Sequence, residues 1–520
     1  MRIGRFPVIG ILLGLLALMM LLPATQAAIS GEWLQARGFL YPALFGVLVA
    51  ASVSVLLRPS QARETARHEL GMLILSWVVL SAYACLPLVL LTPQIGWAGA
   101  WFEMIAALTT TGGSVYTKAS SVPDAIHLWR GLIGWFGGLL TLMGAYVVLA
   151  PRRLGGFEML AVAEGLEDQR VLDMRVTSAG FESRAMRALR AVLPIYIGMT
   201  LVLGIIFNYT DKPGLIATVH AMSIISTSGI TPVDGGFAAS RNYIAEAAAA
   251  LFMVVAATRL AYPRASRTGR AAWPWQDPEL KLLLTLAGLA SLLLFLRHWL
   301  GVLTVDVDVD SLDAVDAIWG AVFTSLSFIT TTGFESHAWE SARNWSGLAN
   351  PGLILLGLCA IGGGAATTAG GIKLIRANTL IRHGTRELER IAVPLSVAGQ
   401  GAGPRGLRRE GAFIAWAFMM LFILALMASV LGLTLSGMRL TDALIASVAA
   451  LSNTGPALQM ISDTGLSFAD LGSPERTILG IAMVLGRVET LAVIALFNPD
   501  NWGRSKKTGK STGETPLSDW

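Results

Sequence analysis

The chain has 520 residues, 54% hydrophobic and 14% charged, with a mean hydropathy of +0.61. Soluble domains carry about a quarter charged residues, so this composition excludes an ordinary globular protein and indicates a polytopic membrane protein. The net charge of +5 comes from arginine-rich connections between apolar runs, as membrane topology alone requires, and makes no case for nucleic-acid binding; Cys85 and Cys359 both lie in apolar runs and suggest neither a disulfide framework nor a thiolate metal site.

The first stretch, MRIGRFPVIGILLGLLALMMLLPATQAA, has a basic start, an apolar core and a small-residue end. It is read as a retained span from Pro7 to about Leu22, with a cleaved signal peptide as the alternative. Further stretches near the roughly 20 residues needed to span follow at about 39–57, 70–92, 126–150, 188–208, 242–258, 279–300, 348–374, 411–434 and 474–497, making ten expected spans. Between the members of the last four pairs lie shorter helix-like runs at 98–110, 214–227, 313–331 and 440–453. Each ends at a small hairpin: LTTTGG (Leu108–Gly113), ISTSGI (Ile225–Ile230), ITTTGF (Ile329–Phe334) and LSNTGP (Leu451–Pro456).

The glycines Gly112, Gly229, Gly333 and Gly455 recur at intervals of roughly 105–120 residues, as expected for one unit of span, half-helix, loop and span repeated four times. The expected fold is therefore an all-α polytopic membrane protein of four pseudo-symmetric repeats around a central pore, preceded by two extra N-terminal helices. Its parts are the N-terminal pair and loop (1–68), repeats at 69–187, 188–278, 279–410 and 411–500, and a tail (501–520). Arginines such as Arg63, Arg152, Arg175, Arg264, Arg382 and Arg405 place their loops in the cytoplasm, so the half-helices enter from outside, beside an acidic run containing Asp306, Asp308, Asp310, Asp313 and Asp316. Those aspartates either raise the local cation concentration or simply solvate a loop and cap a half-helix.

A cation gives up hydration water only where oxygens replace it, and extended backbone around glycine offers carbonyls. The hydroxyl and amide residues beside each glycine can hydrogen-bond behind the loop. Half-helices aim about half an elementary negative charge each at the centre. The candidate filter is Thr110, Thr111, Gly112 and Gly113; Thr227, Ser228, Gly229 and Ile230; Thr331, Thr332, Gly333 and Phe334; and Asn453, Thr454, Gly455 and Pro456.

A second motif, IGGGAATTAGG (Ile361–Gly371), contains five glycines that at roughly 1 kcal/mol each weaken regular helix by about 5 kcal/mol, so the span from about 348 is expected to break. The alternative is close helix packing through small residues. Arg487 stands inside an apolar run, where insertion costs about 2.5–3.5 kcal/mol and a partner or water is needed; a structural ion pair is one reading. Lys373 is either a charge near the pore or a snorkelling side chain.

These hairpins, with IGGGAATTAGGIKLIR (Ile361–Arg376) and MVLGRVETLAVIALFNP (Met483–Pro499), resemble the Trk/Ktr/HKT superfamily of potassium transporters over nearly the whole chain, and the two extra N-terminal spans resemble its TrkH type. The resemblance implies K+ as the transported ion, bound at the filter residues. It implies a gate beneath the filter built from Gly362, Gly363, Gly364, Ala365, Thr367, Thr368, Gly370, Gly371, Lys373 and Arg487. With Arg487 facing the pore, at about 7 Å and an effective dielectric near 20 it would repel a cation by about 2.4 kcal/mol. It further implies a homodimer in the bacterial cytoplasmic (inner) membrane and a nucleotide-binding, TrkA-like cytoplasmic subunit; the basic loops 151–187 and 376–410 are either docking surfaces for that subunit or ordinary positive-inside topology. Ser228 and Thr454 depart from the usual pattern, which bears on Na+/K+ discrimination.

The histidines form no HExxH pair, and neither a GxSxG elbow nor a P-loop occurs, so an enzyme is not expected. A sodium- or proton-coupled cation carrier with weaker K+ selectivity is the alternative function, although such carriers place charges at the midplane of several spans. Channel-like conduction and coupled symport both stay open.

Overall fold

The structure is a computed structural model and describes residues 8–56, 66–150, 181–210, 214–258, 277–301, 311–348, 350–392, 405–462 and 465–488. All regular structure in these residues is helical. The acidic residues Asp306, Asp308 and Asp310, the loop arginines Arg63, Arg152, Arg175 and Arg264, and the tail lie outside the described residues.

The N-terminal pair is α1 (Val8–Ile29) and α2 (Trp33–Leu56). α1 buries Leu13, Leu16, Ala17 and Met20 in a cluster shared with the first repeat, including Trp77 and Trp129. α2 is apolar on all sides and leaves Leu44, Leu48 and Val55 exposed, as a helix facing hydrocarbon does.

Grouped by the repeats expected from the sequence, the first holds α3 (His68–Leu91), α4 (Gly96–Leu108) and α5 (Asp124–Leu149), the last ending in a π-helical turn at Ala145–Leu149. Repeat 2 has α6 (Phe181–Thr210), α7 (Leu215–Ser226) and α8 (Tyr243–Ala256). Repeat 3 has α9 (Pro278–Gly301), α10 (Ser311–Ile329), α11 (Trp339–Ser346) and α12 (Gly352–Ile361), followed by an irregular segment to Lys373 and α13 (Leu374–Ala392). Repeat 4 has α14 (Arg405–Leu435), α15 (Leu440–Leu451), α16 (Pro456–Ile461) and α17 (Ser473–Val488).

Ten spans were expected, and seven described helices are long and apolar enough to cross a bilayer. The other three differ for separate reasons. α8 has only 14 residues: it begins where Asn242 caps it by accepting the amides of Ile244 and Ala245, and ends at Ala256. The span expected at 348–374 is divided after Ile361 by the glycine-rich segment. The last expected span is described only as far as Val488.

The helices close into a ring. Half-helix α7 packs on α5, α10 on α8, α15 on α12, and α4 on α17, so each half-helix rests on the closing helix of the preceding repeat and the fourth repeat returns to the first. One core cluster joins Phe102 and Phe328 to Leu451 and Met483, and a separate one packs α6, α7 and α8 around Phe237 and Phe323.

At the start of α13, Arg376 is fully buried and its guanidinium lies 3.7 Å from the centre of the Phe418 ring on α14. A desolvated cation–π pair contributes about 2 kcal/mol. Phe418→Leu is expected to lower the thermal unfolding midpoint in detergent by a few degrees and Phe418→Tyr to preserve it, as read by intrinsic fluorescence.

Candidate functional site

All four half-helices end in the same way. The amides of Thr111, Ser228, Thr332 and Thr454 reach back to the carbonyls of Ala106, Ser223, Ser327 and Ala449 at 2.8, 2.8, 3.0 and 2.8 Å. The preceding residues, Thr110, Thr227, Thr331 and Asn453, are left-handed with φ of 52°, 52°, 59° and 55°. This is the Schellman end, which satisfies terminal carbonyls through a left-handed residue that is usually glycine. Here it is β-branched or amide instead, at a cost of order 1–3 kcal/mol each.

The side chains of these strained residues account for three of the four choices. Thr331 Oγ1 accepts the amide of Gly370 at 2.8 Å, Thr110 Oγ1 accepts from Arg487, and Asn453 donates to the Met483 carbonyl at 2.9 Å and to Thr111 Oγ1 at 3.0 Å. Each loop also carries a hydroxyl pair two residues apart: Thr109 with Thr111 (2.9 Å), Ser226 with Ser228 (3.1 Å), Thr330 with Thr332 (3.2 Å) and Ser452 with Thr454 (3.3 Å).

The four loops meet in chain order. A methyl group on Gly112 would strike the Ser228 carbonyl, and one on Gly229 the Thr332 carbonyl. A methyl on Gly333 would lie 3.1 Å from Thr454 Cγ2, and one on Gly455 would lie 2.6 Å from the Thr111 carbonyl. Gly112, Gly229 and Gly333 have φ of 74°, 65° and 78°, so their backbone demands glycine.

Gly455 differs from the expected common role. It is helical at φ −59°, sits directly before α16, and donates its amide to the Thr111 carbonyl at 2.6 Å. Pro456 at the first position of α16 sets that helix going, and a glycine before proline escapes the Cβ clash that normally forbids helical backbone there. Gly113, Ile230 and Phe334 are buried behind the loops, and Pro456 is half-buried.

The glycine-rich segment lies against the second, third and fourth loops and reaches the first through Arg487. Thr368 Oγ1 donates to the Ile225 carbonyl of the second half-helix at 3.3 Å, and the Gly370 amide binds Thr331 of the third loop. Gly370 passes so close to the Ser452 carbonyl of the fourth loop that no side chain fits. Arg487 links the segment to the first loop: it donates to the Thr109 carbonyl at 2.8 Å, to Thr110 Oγ1 and to the Thr368 carbonyl.

The segment itself is pinched at its neck, where Gly363 donates to the Gly370 carbonyl at 3.3 Å and Gly362 abuts Gly371. It is anchored from behind by Gly364 to the Ala257 carbonyl (2.8 Å), by Ala365 to Glu279 Oε1 (3.0 Å) and by the Thr367 hydroxyl to the Gly364 carbonyl (2.7 Å). Lys373 is buried and donates to the Ala369 carbonyl, so it braces the segment rather than snorkelling. The ion pair considered for Arg487 gives way to oxygens of two loops.

Sequence reasoning missed the polar groups behind the loops. Glu103 Oε2 accepts the Val115 amide (2.7 Å) and the Ser114 hydroxyl (3.3 Å), and Glu103 Oε1 pairs with Arg130 (2.6 Å). His220 Nε2 meets Thr231 Oγ1 at 3.1 Å, and Thr324 Oγ1 accepts the Ser336 amide at 3.3 Å. Glu103, His220 and Thr324 each stand nine residues before their glycine, a polar position in an apolar run that comparing the repeats exposes.

The model of the TrkH family, described as cation transport protein, matches residues 43–504. This chain belongs to the TrkH family. Family relatives include the Trk system potassium uptake protein TrkH of Vibrio parahaemolyticus, 28% identical over 502 residues, covering 95% of this chain and 98% of that protein. TrkI of Halomonas elongata, also described as a Trk system potassium uptake protein, is 29% identical over 436 residues and covers 82% of each chain. The crystal structure of the potassium transporter TrkH from Vibrio parahaemolyticus superposes with a TM-score of 0.77 at 26% identity, over 95% of this chain and 98% of that one. The all-helical membrane fold read from the sequence is the fold of this TrkH family member.

A hydrogen bond to a charged group contributes about 1.5–3 kcal/mol, and 1.4 kcal/mol is tenfold in an equilibrium. Arg487→Met, which removes all three donors, is expected to speed amide exchange across residues 364–371 at least tenfold, measured by hydrogen–deuterium exchange mass spectrometry.

Proposed function

We propose that this protein carries K+ inward across a bacterial cytoplasmic membrane, with the four hairpin loops as its selectivity filter. The observation that carries this reading is the ring. Four half-helices end in one Schellman geometry and their loops touch in cyclic order, so four helix C-termini converge, together placing about two elementary negative charges near one centre. That potential attracts a cation without a carboxylate. Backbone carbonyls of Thr111, Ser228, Thr332 and Thr454 and of the adjoining glycines are the oxygens that replace hydration water. Among the described residues no three His, Cys, Asp or Glu side chains gather as a metal site. The relatives' names, potassium uptake proteins, give the cargo.

The driving force needs no chemistry in this chain, because the membrane potential supplies about 2.3 kcal/mol per charge for each 100 mV. Residues Gly362 to Lys373 with Arg487 act as the gate. In this structure they rest against the inner ends of all four loops, and the Arg487 guanidinium adds a positive charge on the exit path. A cytoplasmic TrkA-like nucleotide-binding subunit regulates the gate, and the transporter works as a homodimer; both belong to this reading through the family.

Uptake of radioactive Rb+ into proteoliposomes tests the filter. K+ is expected to block uptake and Na+ to block it weakly, and Gly112→Ser, which has to displace the Ser228 carbonyl, is expected to bring the two inhibition constants within a few-fold of each other. Absence of any cation flux, with or without a regulatory subunit, overturns the reading.

Gly370→Ala tests the gate. The added methyl collides with the Ser452 carbonyl, so the segment cannot hold its place under the fourth loop, and uptake without a regulatory subunit is expected to rise several-fold.

A further inference from the structure

Glu246 lies in the first turn of α8, and its side chain is wholly buried. Its carboxylate accepts four hydrogen bonds, all from the third repeat. Oε2 receives the indole N–H of Trp319 at 2.6 Å and the hydroxyl of Ser336 at 2.7 Å. Oε1 receives the His337 amide at 2.7 Å and lies 3.0 Å from His337 Nδ1. A buried carboxylate is tolerated only where donors replace its water, and carboxylates so placed in a spanning segment are functional candidates by default. Neither the ring of loops nor the gate uses this one.

Its partners define what it does. Trp319 belongs to half-helix α10, while Ser336 and His337 form the outward limb of the third loop, immediately beyond Gly333, Phe334 and Glu335. One carboxylate from repeat 2 thus clamps the half-helix that supports the third loop to the chain leaving that loop. The limb is held on the same rear side at Phe334, whose ring stacks on Phe237 at 5.2 Å and 18°. Phe334 and Ser336 are thus both held on the rear side of the loop. Thr324 takes up the remaining Ser336 amide.

The first loop has a counterpart in Glu103, which holds Ser114 and Val115 and is itself held by Arg130. That clamp stays within repeat 1. The Glu246 clamp crosses a repeat boundary, so it sets the spacing between the second and third quarters of the ring, where Gly229 already abuts Thr332.

We propose that Glu246 is a positioning residue that fixes the outward limb of the third filter loop and thereby the discrimination between K+ and Na+. The proposal rests on the filter reading above. Alkali cations differ in radius by a fraction of an ångström, so a limb freed from its rear anchors lets the loop carbonyls follow the smaller ion and selectivity falls.

The test is Rb+ uptake into proteoliposomes by the full-length protein, with Na+ and K+ as competitors, for wild type, Glu246→Gln, Glu246→Asp, Ser336→Ala and Gly333→Ser. The ratio of Na+ to K+ inhibition constants is expected to fall at least fivefold in Glu246→Gln, and in the same direction but less in Ser336→Ala, which leaves the carboxylate charge in place. Glu246→Asp is expected to recover part of the ratio. Uptake per folded transporter is expected to change less than the ratio. If Gly333→Ser relaxes selectivity while Glu246→Gln and Ser336→Ala keep the wild-type ratio, the clamp is overturned and the filter stands. A changed K+ affinity at constant ratio in Glu246→Gln, with Ser336→Ala silent, assigns the carboxylate a purely electrostatic role and also overturns the clamp. A wild type that does not distinguish the two ions overturns the filter reading itself.

Discussion

Backbone polar groups at membrane depth must find partners inside the protein, because hydrocarbon supplies none. Four helices here stop short of a full span, and the residues that end them, Thr109–Thr111, Ser226–Ser228, Thr330–Thr332 and Ser452–Thr454, are buried. The Schellman ends, the hydroxyl pairs beside them, the glycine-rich segment and Arg487 are all answers to that one requirement. The carbonyls of Thr109 and Ile225 are taken by Arg487 and Thr368, and the left-handed residues at three of the four ends spend their strain on a side-chain contact to a neighbouring element. Glycine at those positions would relax the backbone and lose the contact.

The same bonds tie the candidate gate to the candidate filter. Arg487 touches the first loop and the segment at once, and Thr331 is strained and at the same time holds Gly370. A displacement of the segment therefore breaks bonds at more than one loop, which favours two discrete arrangements over gradual deformation. Lys373, left-handed at φ 85° and folded back onto the Ala369 carbonyl, stiffens the end of the segment that continues into α13.

Fourfold likeness is strongest in the backbone and weakest in the side chains behind it. The braces behind the loops are a Glu–Arg pair, a histidine, a threonine with a carboxylate borrowed from the neighbouring repeat, and, farther out in repeat 4, Asp442 accepting the Ser462 hydroxyl at 2.8 Å. Gly455 departs further, serving as the lead-in to α16. Only main-chain carbonyls need to match around a cation path. The supporting shell can differ quarter by quarter, provided each quarter is anchored.

The membrane class, the half-helix positions and the four glycine hairpins were legible in the chain because hydrophobic period and glycine are local signals. So was the interruption after Ile361, since five glycines in eleven residues oppose a helix wherever they fall. Which repeat touches which was not legible: the packing of α17 on α4 and the proximity of Arg487 to Thr110 join residues more than 370 positions apart. Nor was the meaning of Glu246, since a single carboxylate in an apolar run looks the same whether it faces an ion, a partner or an error. Its role depends on Trp319, Ser336 and His337 being brought to it from another repeat. Local sequence thus determined where the chain breaks and bends, whereas the tertiary structure decided what fills each break, because the partners of a buried polar group are chosen by the closure of the ring.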